Sequence, residues 1–263
     1  MPRRRPLPQR CSRMAGQNPA ARYRHEALDT VGSTNSEALE RARAGDPGRL
    51  WLTAERQVGG RGRRGRNWVS ERGNLYASLL LVDPAPQVVA SSLPLVAAVA
   101  VERAISEMLA GHTGEVAIKW PNDVLIDRKK VCGILLEAEH LADGRFAVVI
   151  GIGVNVGFRP DDVPYEVARI ADYVAGADPS VLFAHLFQTM ADEIEIWREG
   201  AGLAETMRRW RRAACGLNER IIVNLAREQV SGRFAGIDDA GMLIVETEKG
   251  TRTFAAGDVF FDT

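Results

Sequence analysis

Two stretches of the sequence concentrate residue types that bind phosphate. The first is VGGRGRRGRNW, residues 58–68, in which four arginines alternate with glycines. The second is KWPND, residues 119–123, which is followed by RKK at 128–130. Glycine lets backbone N–H groups approach a phosphate, and guanidinium groups hold it through paired hydrogen bonds. These stretches therefore predict a loop that closes over a phosphate made or used in an active site.

The glycine- and arginine-rich stretch has three other interpretations. Gly60, Gly62 and Gly65 spell the dinucleotide fingerprint GxGxxG, but that motif needs a helix opening at its third glycine. Here RNWVSERGN is too short and broken, and NLYASLLLV after it is typical of a strand. An RGG-type RNA-binding segment would lie in a long repetitive tract, which is absent from this sequence. An exposed, solvated hairpin loop is the remaining alternative.

Composition narrows the class of protein. Lys plus Arg and Asp plus Glu both total 34, so the net charge is zero, which counts against a dedicated DNA- or RNA-binding protein. Cys11, Cys132 and Cys215 form no CxxC pair, and the four histidines are scattered. We therefore assign no metal ligand among the protein side chains and expect a reducing cytoplasm. No uncharged apolar run is long enough to span a bilayer, so we expect no membrane association.

Periodicity predicts an α/β fold. A helix should begin near Thr34, which has capping-box spacing to Glu37, and a long apolar helix should surround Pro94. Further helices are expected between Pro179 and Ala214, with Trp197 and Trp210 packed inward. The intervening apolar segments predict a sheet. We predict a disordered tail at 1–22, a catalytic domain at 23–214, and a small β-barrel at 215–263.

Six segments together carry a family resemblance: GSTN, ERQVGGRGRRGRNW, GNLYASLLL, KWPNDV, KKVCGILLE and GIGVNV. Their order and spacing resemble those of biotin protein ligases of the BirA type. The resemblance runs from about Val31 to the C-terminus and is strongest over 31–157. GRGRRGR combined with KWPND is highly specific, although neither segment would be alone. Because there is no room for an N-terminal helix-turn-helix domain, we expect the monofunctional ligase.

The resemblance implies a fold and a reaction. The fold would be a mixed β-sheet with packed helices, like class II synthetases and biotin–lipoate ligases, plus a C-terminal SH3-like barrel. The enzyme would use ATP and Mg²⁺ to activate biotin as biotinyl-5′-AMP. It would then transfer biotin to one lysine of the biotin carboxyl carrier protein of acetyl-CoA carboxylase, or of another biotin-dependent carboxylase. A lipoate ligase, which shares the fold, is the alternative within the class, and the sequence leaves a homodimer open.

The resemblance also assigns residue roles. Lys130 would be the electrostatic clamp between the biotin carboxyl group and the α-phosphate, with Arg63 and Asp123 completing the catalytic set. The implied biotin contacts are Ser33, Thr34, Gln57, Gly60, Arg61, Lys130, Gly133, Leu135, Gly151 and Gly153. The implied nucleotide contacts are Arg63, Arg64, Arg66, Trp68, Asn122, Lys130 and Asn155.

Each of these roles has an ordinary structural alternative. Lys129 and Lys130 would suit a polar turn, and Ser33 and Thr34 would suit a helix cap. Proline-turn chemistry alone would explain the Asn-Asp pair of KWPND. Trp120 is as well suited to the core as to the site. We expect Cys132 to be a small buried residue and not a nucleophile.

Overall fold

The computed structural model describes residues 18–160, 163, 165–225 and 227–261. Most of the predicted tail, residues 1–17, lies outside this range. Pro19–Arg22, which we also predicted to be tail, forms a short 3₁₀ helix whose Ala20 is buried.

Seven strands form the main sheet, and they confirm the prediction of a mixed sheet. β1 pairs with β2 in parallel, whereas every other neighbouring pair is antiparallel. The spatial order is β1-β2-β3-β7-β6-β5-β4. The strands are β1 (Arg24–Val31), β2 (Leu50–Gln57), β3 (Leu75–Val82), β4 (Val116–Lys119), β5 (Asp123–Ile126), β6 (Lys129–His140) and β7 (Phe146–Val154).

The helices cover the two faces of this sheet unequally. One face is covered by α1 (Thr34–Arg43), whose Ala38 and Ala42 pack on a small apolar cluster that includes Val149 of β7. The other face carries the larger core, in which Trp197 and Trp210 are buried as predicted. Its helices are α2 (Gln87–Ala90), α3 (Leu93–Met108), α4 (Pro179–Trp197) and α5 (Leu203–Arg212).

The long apolar helix predicted around Pro94 is divided in two. α2 ends at Ala90, and α3 begins at Leu93 with Pro94 in its first turn, where proline's missing N–H costs nothing. By length and composition, the stretch Gln87–Met108 would suffice to cross a membrane, with a mean hydropathy of 1.7 in its most apolar window. That window is 67% buried within the protein, as in the core helix of a folded domain.

The predicted capping box at the start of α1 is wrong. Ser33 is the N-cap residue, and its side chain makes no capping hydrogen bond. The Thr34 hydroxyl contacts Gln57 and Ser78 on neighbouring strands, and Glu37 pairs with Arg41 at 3.6 Å. Tertiary hydrogen bonds have therefore replaced the local capping pattern.

The C-terminal residues form the expected β-module. Its five antiparallel strands are β8 (Arg220–Asn224), β9 (Gln229–Ile237), β10 (Leu243–Thr247), β11 (Gly250–Phe254) and β12 (Asp258–Phe261), in the order β11-β10-β9-β8-β12. The module is SH3-like. It contacts the main domain through Trp120, which is 3% exposed and donates its indole N–H to the carbonyl of Gly241 at 3.0 Å. Trp120 is therefore a core residue.

Trp120→Phe should destabilise the junction between the two parts of the chain. The substitution keeps an aromatic ring but leaves the buried carbonyl of Gly241 without its donor, which costs about 1–3 kcal/mol. Urea denaturation would measure the change in the free energy of unfolding. A change within error would show that this hydrogen bond does not hold the module in place.

Candidate active site

The cleft lies where α1 stops covering the sheet. α1 begins at Thr34 and packs over Val149 on β7, but the next inward-facing positions of that strand are Gly151 and Gly153. Gly133 and Leu135 of β6 pair with these two glycines. Glycines carry no side chain to fill the space above the sheet, and an open cleft forms over this part of it, with about 820 Å³ of space including the part open to solvent.

Gly133, Gly151 and Gly153 form the floor of the cleft, which we call the glycine floor. Trp68 forms one wall and lies against two of these glycines. A Cβ atom on either Gly133 or Gly153 would overlap the Trp68 indole. These two glycines therefore accommodate a side chain of the protein itself as well as lining the cleft. Gly60 is different, because it lies at the base of the loop, where its carbonyl accepts from Trp68 N at 3.0 Å, and it does not line the cleft.

The part of the cleft between the start of α1 and the end of β2, which we call the deep end, is polar. Ser33, Thr34 and Gln57, for which the resemblance implies biotin contacts, line it together. The backbone N–H of Thr34 donates to Gln57 Oε1 at 2.9 Å, which joins the start of α1 to the end of β2. Asn35, which was not predicted, also lines this end and is buried.

Two of the three expected catalytic residues lie next to each other in the cleft. Lys130 Nζ is 2.8 Å from Asp123 Oδ1, and both residues line the cleft. Asp123 begins β5 immediately after the Trp120–Pro121 turn, and Lys130 lies near the start of β6 in the same hairpin. The ammonium also lies 5.5 Å from the centre of the Tyr165 ring and 5.8 Å from that of Trp68. Lys129 does not line the cleft.

Each arginine of the loop has a partner from another part of the chain. Arg61 donates to Glu137 on β6 at 3.2 Å, and Arg63 donates to Asn122 Oδ1 at 3.3 Å. The other two loop arginines both bind Asp258 of β12: Arg64 at 2.5 Å and Arg66 at 2.8 Å. Of the four, Arg61, Arg63 and Arg66 line the cleft.

A second, smaller cavity of about 350 Å³ adjoins the first and shares Trp68, Lys130 and Tyr165 with it. Asn155 lies in this second cavity and donates to the carbonyl of Ala168 at 3.1 Å. The predicted nucleotide contacts are therefore divided between two cavities: Arg63 and Arg66 line the first, and Asn155 lines the second. Asn122 is buried beneath the loop, where it donates to the carbonyl of Ile134.

Burial changes the chemistry of two groups near the cleft. Desolvation lowers the pKa of Lys119, whose ammonium lies 5.2 Å from the centre of the Phe260 ring and 5.8 Å from that of Phe261. Complete burial raises the pKa of the Cys132 thiol, so little thiolate is present at neutral pH. The structure thus favours the prediction that Cys132 is not a nucleophile.

The structure brings together most of the predicted site and adds residues that the sequence did not reveal. Asn35, Tyr165 and Asp258 line the cleft. Glu137 accepts hydrogen bonds from two lining residues, Asn35 and Arg61. Asn35 was within reach of prediction, because it belongs to the GSTN segment. Asp258 and Glu137 carried no local signal.

Comparison with known proteins identifies the family. Residues 31–155 match the biotin/lipoate A/B protein ligase family, and residues 216–262 match the biotin protein ligase C-terminal domain. A biotin–[acetyl-CoA-carboxylase] ligase of Paracoccus denitrificans is 37% identical over 243 residues, which are 89% of this chain and 99% of the relative. The chain belongs to the biotin protein ligase family.

Other members of the family agree in sequence and structure. A biotin–[acetyl-CoA-carboxylase] ligase of Mycobacterium tuberculosis is 33% identical and covers 88% of each chain. A biotin protein ligase from Aquifex aeolicus, solved in complex with biotin and ATP, superposes with a TM-score of 0.75 at 25% identity. That match covers 91% of this chain and 99% of the other.

Lys130→Ala should lower the rate of adenylate formation about 100-fold, because a charge-assisted donor to the transition state is worth about 3 kcal/mol. Lys129→Ala is the matched control, since it removes the same charge from the neighbouring position outside the cleft. Pyrophosphate exchange into ATP would measure both rates. Equal losses in the two variants would rule out a special role for Lys130.

Cys132→Ala should retain full ligase activity. The thiol is buried on the side of β6 away from the glycine floor and should act only as a small apolar group. Steady-state rates of biotin transfer would measure the effect. A loss of more than about 10-fold in kcat, with an unchanged melting temperature, would contradict this role.

Proposed function

We propose that this protein is an ATP-dependent biotin ligase. It forms biotinyl-5′-AMP and then transfers biotin to a lysine of a carrier protein. The observation that carries the proposal is the cleft itself, which is lined by the glycines of β6 and β7, by the polar side chains of Ser33, Thr34 and Gln57, and by the cations Lys130, Arg63 and Arg66. A flat ring with an acidic tail and a nucleotide phosphate fits this set of groups.

In the first step, a carboxylate oxygen of biotin attacks the α-phosphorus of ATP, and the bond to pyrophosphate breaks. Both reactants are anionic, so their approach needs cations placed in advance. Lys130 lines the cleft and serves both anions. Arg63 and Arg66 approach from the loop and hold the phosphates.

In the second step, the amine of the acceptor lysine attacks the acyl carbon, and AMP leaves. The attacking nitrogen must lose a proton, and the carboxylate of Asp123 is the acceptor that we propose. Asp123 lines the same cleft as Lys130 and lies 2.8 Å from its ammonium. The reaction needs no covalent enzyme intermediate, and Cys132 is not used.

We propose that ATP binds as its Mg²⁺ complex. Among the described residues, no cluster of three or more His, Cys, Asp or Glu side chains is able to hold a metal ion. The phosphates and water would therefore supply the ligands, which is the coordination that Mg²⁺ commonly keeps in nucleotide sites.

We propose the biotin carboxyl carrier protein of acetyl-CoA carboxylase as the acceptor. The support comes from the relatives in Paracoccus denitrificans and Mycobacterium tuberculosis, which are named for that carboxylase. Cytoplasmic location and the absence of DNA or membrane binding stay predictions.

Pyrophosphate exchange into ATP distinguishes this function from that of a lipoate ligase, because the matched family includes both activities. We expect exchange that depends on biotin and is at least about 100-fold slower with lipoate, a difference of about 3 kcal/mol in transition-state binding. Exchange driven by lipoate and not by biotin would overturn the proposal.

Arg63→Gly should still form the adenylate but should retain it poorly. Arg63 is the loop arginine that reaches Asn122 at the cleft, and its loss removes a bidentate phosphate contact. The released mixed anhydride would then label lysines of a bystander protein in a mixture with biotin and ATP. Arg56→Gly is the control, because Arg56 lies outside the cleft and pairs with Glu71 on the surface. Bystander labelling no greater than wild type, with adenylate still formed, would exclude a retaining role for Arg63.

A further inference from the structure

A chain of side-chain hydrogen bonds runs from Glu137 on β6 to the deep end of the cleft. Asn35 Nδ2 donates to Glu137 Oε2 at 2.7 Å. Asn35 Oδ1 lies 2.6 Å from Ser78 Oγ, and Ser78 Oγ lies 2.7 Å from Thr34 Oγ1. Asn35, Ser78 and Thr34 are buried, so water does not substitute freely for these contacts. A Cβ on Gly151 would overlap the Asn35 amide, so that glycine makes room for the chain.

Backbone groups fix the far end of the same chain. The N–H of Thr34 donates to Gln57 Oε1 at 2.9 Å, so the oxygen of this amide must face Thr34. Gln57 Nε2 then donates to Ser70 Oγ at 2.9 Å, and the Ser70 hydroxyl donates to the carbonyl of Trp68 at 2.9 Å. The orientation of Gln57 therefore follows from one backbone donor and one backbone acceptor.

The protons in the middle of the chain can then be counted. Three oxygen–oxygen contacts lie between Asn35 and Gln57, but only the hydroxyls of Ser78 and Thr34 supply protons. A carboxylate only accepts, so Glu137 turns the Asn35 nitrogen towards itself and the oxygen towards Ser78. Ser78 must then donate its one proton to Asn35. The Thr34 hydroxyl has two acceptors within reach, and we assign its proton to the nearer one, Ser78 Oγ at 2.7 Å, over Gln57 Oε1 at 3.1 Å.

The third contact, between Thr34 Oγ1 and Gln57 Oε1, is left without a proton. It is also the longest of the three, at 3.1 Å against 2.6 and 2.7 Å. Two acceptor oxygens with free lone pairs therefore lie side by side at the deep end of the cleft. An incoming N–H group would satisfy both.

We propose that Glu137 is a positioning residue that sets the hydrogen-bond polarity of the biotin-binding end, which rests on the function proposed above. By fixing Asn35, it makes Thr34 and Gln57 a paired acceptor for an N–H donor. The ureido ring of biotin carries N–H groups, whereas the dithiolane ring of lipoate carries none. Glu137 thereby favours biotin without touching it.

Without the Glu137 carboxylate, the direction of donation along the hydrogen-bonded side chains is no longer fixed. The Asn35 amide is then free to turn over and donate to Ser78, so that Ser78 donates to Thr34 and Thr34 donates to Gln57. The lone pair of Gln57 Oε1 that would have accepted from the ligand then accepts from the Thr34 hydroxyl. Glu137 also accepts from Arg61 at 3.2 Å, so the test must separate the effect on Asn35 from the tether to the loop.

The first measurement is calorimetric binding of biotin alone and ATP alone. Glu137→Ala should weaken biotin binding at least about 10-fold, as expected for a buried polar pair left unsatisfied, while ATP binding changes less than about 3-fold. Glu137→Gln, which keeps an acceptor oxygen for Asn35, should restore most of the biotin affinity. Glu139→Ala is the matched control, because Glu139 lies two residues along the same strand and pairs with the surface Arg43. It should change neither affinity.

A double-mutant cycle identifies the partner through which Glu137 acts. Once Asn35→Ala is present, adding Glu137→Ala should cause almost no further loss of biotin affinity. Additive losses with Asn35→Ala, together with non-additive losses with Arg61→Ala, would overturn the proposal in favour of the loop tether. Equal weakening of biotin and ATP in Glu137→Ala would also overturn it, because that result indicates general damage. Failure of the wild-type protein to bind biotin would instead overturn the proposed function itself.

Discussion

Four arginines within residues 61–66 repel one another, and the position of the loop depends on how that repulsion is offset. Acceptors from three separate parts of the chain accomplish this: Glu137 on β6, Asn122 in the KWPND turn and Asp258 on β12. These ion pairs and hydrogen bonds are largely exposed, so each contributes little alone. Together they hold Arg61, Arg63 and Arg66 at the cleft, and we propose that a bound phosphate replaces at least one of the protein partners.

The sheet supplies the second half of the site. α1 covers the part of its face that carries Ala147 and Val149, and the same face continues as glycines beyond the N-terminus of the helix. The Trp68 indole and the Asn35 amide use the space that the missing side chains leave. The C-terminal module contributes Asp258, which lines the cleft and binds the loop.

Much of this arrangement could be predicted from the sequence. Apolar periodicity located the sheet and the helices, and the six segments identified the cleft together with Lys130, Asp123, Thr34 and Gln57. Rules based on local sequence gave the wrong prediction where tertiary contacts determine the side-chain partners. The Thr34 side chain was expected to cap a helix but its hydroxyl binds Ser78 on β3, because buried polar groups on a neighbouring strand also need partners.

Two residues of the site could not be found from local pattern. Glu137 is one of several charged residues on an alternating strand, and nothing nearby in sequence distinguishes it from Glu139. Asp258 lies 192 residues from the arginine that it binds at position 66. Their roles depend on strand pairing and on the docking of the C-terminal module, which only the folded chain reveals.

The most direct test of the account is a crystal structure with a stable analogue of biotinyl-5′-adenylate. We expect the ureido ring to lie next to Thr34 and Gln57 and the aliphatic tail of biotin to cross the glycine floor. The phosphate should contact Lys130 and Arg63. At least one loop arginine should have exchanged its protein partner for the phosphate. An analogue bound away from the glycine floor, or a loop whose arginines all keep their present partners, would contradict the account.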